Sequence, residues 1–208
     1  MTKYLIFILP LLLITIGCNF DKNIREDVQL KVEEFNLSQL YRNGEKLYTI
    51  YSPISKFNQT EQIYKLDNTN IKFYDNNELK YIINSNNAVL DNNNKVVKLI
   101  GEIKIIDITE EDNVINADNL VWNINKSEFI LEGNVTLNDS FKNLKSSKAI
   151  LNKNTDIIEF FQPVKYEYKE KKTKTNFKIS AKSAFYNLKT KSMVFKSESD
   201  RVRSNLSL

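Results

Sequence analysis

The sequence predicts an all-β domain built from stacked antiparallel hairpins. Three observations carry that expectation: period-two alternation of apolar residues, asparagine-rich turns at regular intervals, and an internal repeat of about 30 residues. Helical periodicity is weak throughout. The 208 residues suffice for one domain with a core that folds without disulfide or metal staples.

The N-terminal stretch reads as an export segment. Lys3 precedes an apolar run, Tyr4–Gly17, whose 14 residues fall short of the roughly 20 that a membrane-spanning helix needs. Gly17 immediately before Cys18 resembles the lipobox of bacterial lipoproteins, with Thr15 where leucine is usual. Cys18, the chain's one cysteine, is therefore the expected lipid-attachment site. The alternatives are a plain cleaved signal or an uncleaved anchor. Each places the remainder outside the cytoplasm. Residues 18–31 are polar and read as a tether.

From Val32 the alternation begins. Val32, Phe35, Leu37 and Leu40 mark a first strand, Asn43-Gly44 a hairpin turn, and Leu47–Tyr51 its return. Later turns follow at Asp75–Glu78, Asp91–Asn94, Asn123–Lys126 and Asn152–Thr155. Asparagine tolerates left-handed backbone angles and caps turns with its own side chain, so it takes the place of glycine here. The repeat is anchored on Ala88, Leu120, Ala149 and Ala184. Nine and eleven residues on stand Val97 and Leu99, Phe129 and Leu131, Ile158 and Phe160, and Met193 and Phe195. Gly101 and Gly133 recur thirteen residues on, answered by Gln162, and Ile103, Val135 and Val164 fifteen on. Ser55 and Phe57, answered by Tyr64 and Leu66, form a weaker copy. Even spacing puts such residues on one strand face, so stacked units present a continuous apolar surface. That surface must be buried against another sheet or against a ligand.

Composition excludes much chemistry. With no histidine, the usual general base is missing, and the four glycines are isolated, so no phosphate loop exists. No cofactor or metal is expected, and an enzyme is the weakest reading. Glu33-Glu34 and Glu110-Glu111-Asp112 read as solvated charge, the latter without calcium-loop spacing. A net charge of +4 lacks the concentrated basic stripe of a nucleic-acid binder. The one basic run, Lys165–Lys174, is either a solvated hairpin connection or an attractor of anionic phosphates. Trp122 is either core or ligand contact.

The run Phe35–Leu47, the blocks Leu66–Asn77 and Ala88–Ile103, and above all Ile115–Val135 resemble the LptC family. Its members are inner-membrane-anchored periplasmic components of the lipopolysaccharide export bridge. The resemblance spans residues 32–197 and rests on the order of short motifs. Two departures stand out: the lipoprotein-like start in place of an uncleaved helix, and Ile179-Ser180-Ala181-Lys182 where the family has a glycine-containing segment.

The resemblance implies a twisted antiparallel β-jellyroll of the OstA/LptA-like class, open along one seam. It also implies a role: accepting lipopolysaccharide from an inner-membrane ABC transporter and passing it to a soluble periplasmic jellyroll partner. The expected groove residues are Phe73, Leu90, Leu99, Ile103, Trp122, Phe129, Leu131, Val135, Phe160, Phe185 and Phe195. The expected partner-facing edges carry Phe35, Leu37 and Leu40 at one end and Met193 and Phe195 at the other. The domain reading is a signal over 1–17, a lipidated tether over 18–31, the jellyroll over 32–197 and a tail over 198–208. The expected location is the periplasmic face of the inner membrane, held by lipid or helix. A closed structural or adhesive β-sandwich lipoprotein is the competing reading, as are other members of the same fold group.

Overall fold

The structure is a computed structural model that describes residues 29–109, 113–169, 176–197 and 203–207. Twelve strands are described: β1 (Gln29–Leu40), β2 (Lys46–Asn58), β3 (Ile63–Asp75), β4 (Glu78–Asp91), β5 (Val96–Asp107), β6 (Val114–Asn123), β7 (Glu128–Asn138), β8 (Lys142–Asn152), β9 (Ile157–Lys169), β10 (Asn176–Asn187), β11 (Met193–Lys196) and β12 (Arg203–Ser207). They form one antiparallel sheet in which β1 to β11 pair in chain order and β12 pairs with β10 beyond them. The all-β jellyroll expectation holds. The sheet begins at Gln29, inside the expected tether, and the expected tail contributes β12. The Cys18 site, the Glu110–Asp112 cluster and the distal half of the basic run lie outside the described residues.

The turns are closed by the residues that predict them. Asn43 Oδ1 accepts the Glu45 N–H at 3.1 Å, Asn123 Oδ1 the Lys126 N–H at 3.0 Å, and Asn152 Oδ1 the Asn154 N–H at 2.9 Å. Asn76 and Asn77 hold left-handed backbone angles between β3 and β4.

Each of the ten long strands bends near its middle, and the bends line up across the sheet as a crease. In the even strands, inward residues are spaced by two until a small residue, then by three: Ser52 to Ser55, Ser85 to Ala88, Ala117 to Leu120, Ser146 to Ala149 and Ala181 to Ala184. An interval of three on one face of a strand requires an extra residue, which is a β-bulge. The pairing registers shift at these places, for example between Asn84 and Asn87 and between Glu132 and Val135. Four of the five facing odd strands meet the crease with left-handed residues: Glu34 in β1, Asn68 in β3, Gly101-Glu102 in β5 and Gly133-Asn134 in β7. At Gly133, φ is +78° and a β-carbon would fall on the Asp118 carboxylate, so glycine is required twice over. The glycine missing near Ala181 is not needed, because β10 is an even strand and bends at a small residue.

A bulge frees backbone groups from the ladder, and buried hydroxyls take them up. Ser52 Oγ lies 2.6 Å from the carbonyls of both Ile54 and Asp67. Ser146 Oγ lies 2.7 Å from the Lys148 carbonyl and 2.5 Å from that of Phe161, and Ser85 Oγ donates to the Asn87 carbonyl at 3.1 Å. The crease folds the sheet onto itself. One layer carries Ile50, Ile71, Ile83 and Leu144, and the other carries Leu66, Leu90, Leu120 and Phe160, all buried.

Candidate functional site

The candidate site is the inner surface between the two layers, together with the seam opposite the crease. Ten of the eleven expected groove residues face inward. Phe73, Leu90, Leu99, Ile103, Trp122, Phe129, Leu131, Val135 and Phe160 are buried, and Phe195 packs against them half-buried. Phe185 is the exception. Its neighbours Ala184 and Tyr186 take the inward positions, so Phe185 points outward with Lys196 Nζ 4.4 Å over its ring. The even spacing from Ala184 favours Tyr186, not Phe185, for the inner face.

The interior is more filled than an open trough. Tyr48 and Phe73 from one layer meet Trp122 from the other at ring-centroid distances of 4.8 and 5.0 Å, and Trp122 stacks on Phe129 at 5.4 Å. Trp122 is thus part of the packed core. Beside this cluster remains an apolar pocket of about 50 Å³, lined by Tyr81, Ile83, Ile105 and Ile115 from one layer and Phe129, Leu131, Leu151 and Ile158 from the other. That space holds a few waters at most, so a hydrocarbon chain enters only if the layers part.

The seam runs between two rows of turns and is held by few described contacts. Lys191 Nζ pairs with Asp107 Oδ2 at 3.1 Å, Asn113 Nδ2 lies 3.5 Å from the Tyr186 hydroxyl, and Lys153 Nζ sits 4.8 Å from the Phe73 ring centroid. Burial raises the Asp107 carboxyl, but hydrogen bonds from Thr109 and Lys191 outweigh it and hold the group below the ordinary carboxylate range. Burial, then the Asp107 charge, pushes the Tyr81 hydroxyl well up. Alongside the pocket, the seam widens into a polar cleft of about 210 Å³ bordered by Lys80, Lys153, Lys189, Asp75 and Asp156. Sequence reasoning missed this cleft, because its lysines lie in turns far apart along the chain.

One end of the sandwich exposes apolar inner surface. Leu30 and Val32 of β1 pair across from Phe57 and Ser55 on the inward side, yet are 49% and 36% exposed. β1 pairs with β2 alone, leaving its second edge unpaired among the described residues. Phe35 is buried inward, Leu37 is half-buried and Leu40 is exposed. At the other end, Met193 and Phe195 of β11 sit half-buried against the core, and β12 completes that edge. In the basic run, Tyr166 is buried and Tyr168 half-buried, so its described part is core strand with alternating lysines outside. Among the described residues, no group of three or more acidic or cysteine side chains is placed to hold a metal, and no helix is long and apolar enough to cross a membrane.

No curated protein matches the chain. Among solved structures, it is similar to the crystal structure of LptH, the LptA homologous periplasmic component of the conserved lipopolysaccharide transport device from Pseudomonas aeruginosa. The identity is 10%, the TM-score 0.44, and the match covers 62% of this chain and 94% of that one. The family model described as lipopolysaccharide-assembly, LptC-related, matches residues 8–202. A creased jellyroll with an apolar interior, matched over nearly its whole length, belongs to the LptC-related family of lipopolysaccharide assembly.

Proposed function

We propose that this LptC-family chain works in lipopolysaccharide transport as a conduit, receiving the lipid at the β1 end and releasing it at the β11 end. Family membership supplies the transport role. The observation that carries the mechanism is the inner surface: an apolar face on each layer, joined along a crease lined by small hydroxyl residues and closed opposite it by a handful of polar contacts. Each methylene moved out of water is worth about 0.8 kcal/mol, so a twelve-carbon chain gains on the order of 10 kcal/mol by entering. A gain of that size can offset the parting of a seam that, among the described residues, is held by contacts such as the Lys191–Asp107 ion pair and the Lys153–Phe73 cation–π contact. Burying the chains while the polar head stays outside suits a two-layered sheet with a seam.

The exposed Leu30 and Val32 offer apolar surface at the β1 mouth. The β1 edge, unpaired among the described residues, suits strand addition from an inner-membrane ABC transporter, and the composite β11 and β12 edge suits a soluble jellyroll partner. In this reading Cys18 carries the lipid anchor at the periplasmic face of the inner membrane, the residues between it and Gln29 serve as tether, and the jellyroll runs from β1 to β12. The chain binds and conducts without a catalytic step of its own.

A benzophenone amino acid placed at Leu90, Leu131 or Phe160 in intact cells tests this. Lipopolysaccharide adducts are expected from these three positions and none from the outward-facing Phe185. Adducts to protein alone from all three would overturn the conduit.

A further inference from the structure

The polar cleft at the seam carries more than a boundary. It abuts the apolar pocket, with Phe73, Tyr81, Lys153 and Asp156 lining both. Its lips come from opposite layers: Asp75 and Lys80 from the β3–β4 hairpin, and Lys153, Asp156 and Lys189 from the turns around β9 and after β10. Three lysines face two aspartates there. Lys80 lies 3.8 Å from Asp75, and Lys189 lies 2.8 Å from Asp156. Lys153 has no carboxylate within ion-pair distance among the described residues, and its ammonium rests against the Phe73 ring. Burial, and then the neighbouring Lys80 charge, lower its affinity for a proton, against the weaker opposing pull of Asp75 and Asp156. A half-buried cation beside a second cation is a costly arrangement that an anion would relieve.

We propose that this cleft binds the phosphate of an amphiphile, held by Lys153, Lys80 and Lys189, while the attached hydrocarbon occupies the apolar pocket beneath. A phosphate monoester carries close to two charges at neutral pH and three acceptor oxygens, which matches a cluster of ammonium donors better than a carboxylate does. The hydrocarbon half rests on the conduit reading; the anionic half is additional. The seam then acts on the headgroup as well as the chains. Binding of phosphate between Lys80 on one lip and Lys153 on the other bridges the layers along the seam.

The test uses the full-length protein in vesicles of phosphate-free digalactosyl diacylglycerol, read by fluorescence of Trp122, the only tryptophan, which stacks on the pocket-lining Phe129. The probes are octyl phosphate, octan-1-ol and inorganic phosphate. Octyl phosphate is expected to bind at least about tenfold tighter than octanol, in line with a charge-assisted contact. Lys153→Gln is expected to bring that ratio close to one, and Lys80→Gln to reduce it. Equal affinities in the unaltered protein, or a ratio that Lys153→Gln leaves intact, would overturn the proposal while leaving the conduit standing. Inorganic phosphate binding as tightly as octyl phosphate would also overturn it, by showing a free-anion site. Binding of neither octyl compound would remove the conduit itself.

Discussion

Leu131 shows how one side chain serves both packing and the candidate groove. It is 1% exposed, pairs across from Leu120 and Ala149 on neighbouring strands, and lines the apolar pocket. Truncation to alanine removes buried methyl groups next to an existing void, which limits collapse of the site. Leu131→Ala is therefore expected to destabilise the domain by about 2–5 kcal/mol. Phe185→Ala, on the outer face one position from the buried Ala184 and Tyr186, is expected to cost about 1 kcal/mol or less, because a half-buried ring stacked under Lys196 is lost and no core contact with it. Urea denaturation of the two variants measures the difference. Equal losses would place Phe185 in the core and overturn the facing described above. That facing was legible from the Ala184 spacing, but a large aromatic beside the anchor outweighed the parity rule in the sequence reading.

Strands of 10–14 residues would span the domain as one flat sheet if they ran straight. The crease converts each into two short halves that pack on one another, and its chemistry is repeated: a small residue three before the anchor on even strands, a left-handed residue on four of the five long odd ones. Ser146 is the best-connected case, with its hydroxyl between two carbonyls of the bend. Ser146→Ala leaves those buried acceptors short of a donor and is expected to cost about 1–3 kcal/mol. Ser147→Ala, whose hydroxyl donates to the Gln162 carbonyl from an exposed position, should stay within about 0.5 kcal/mol. Thermal unfolding of the pair checks this; similar losses would deny the crease its hydroxyl anchor. Ser85, Ala117, Ser146 and Ala181 all precede their anchors by three, so the signal was present in the repeat. It passed unread because an interval of three breaks strand parity, and only the folded sheet shows that each break lies beside the next.

The molecule as a whole is a sheet clasped at its seam, and the clasp has a pH dependence. Asp107 is held below its ordinary range in the folded protein, so the unfolded chain takes up its proton first as pH falls. Its contribution is complete above the unfolded carboxyl value, near pH 4, and is lost as pH drops through the lowered folded value. Melting temperatures measured from about pH 6 down to about pH 3 should fall more steeply in the unaltered protein than in Asp107→Asn. Parallel curves would show that the Lys191–Asp107 contact contributes nothing to closure. The same contact bears on transport. A seam closed by many strong contacts would hold lipid out, and one closed by none would expose the interior to water. The clasp seen among the described residues, with the Lys191–Asp107 ion pair, the Lys153–Phe73 cation–π contact and the Asn113–Tyr186 contact, lies between these limits.

Strand identity, turn positions and most inward residues came from the sequence alone. Alternation and asparagine capping act within a few residues, so Val97 and Leu99 or Asn123 and Lys126 declare themselves without the rest of the chain. The pairing of the layers was decided by the tertiary structure. Tyr48 meets Trp122, and Lys191 meets Asp107 across 84 residues, because a line of bulges folds the sheet back on itself. The lysine-lined cleft arises the same way, from turns that are neighbours only after folding. No local pattern encodes where two distant turns will meet, since that depends on the summed twist and bend of every strand between them.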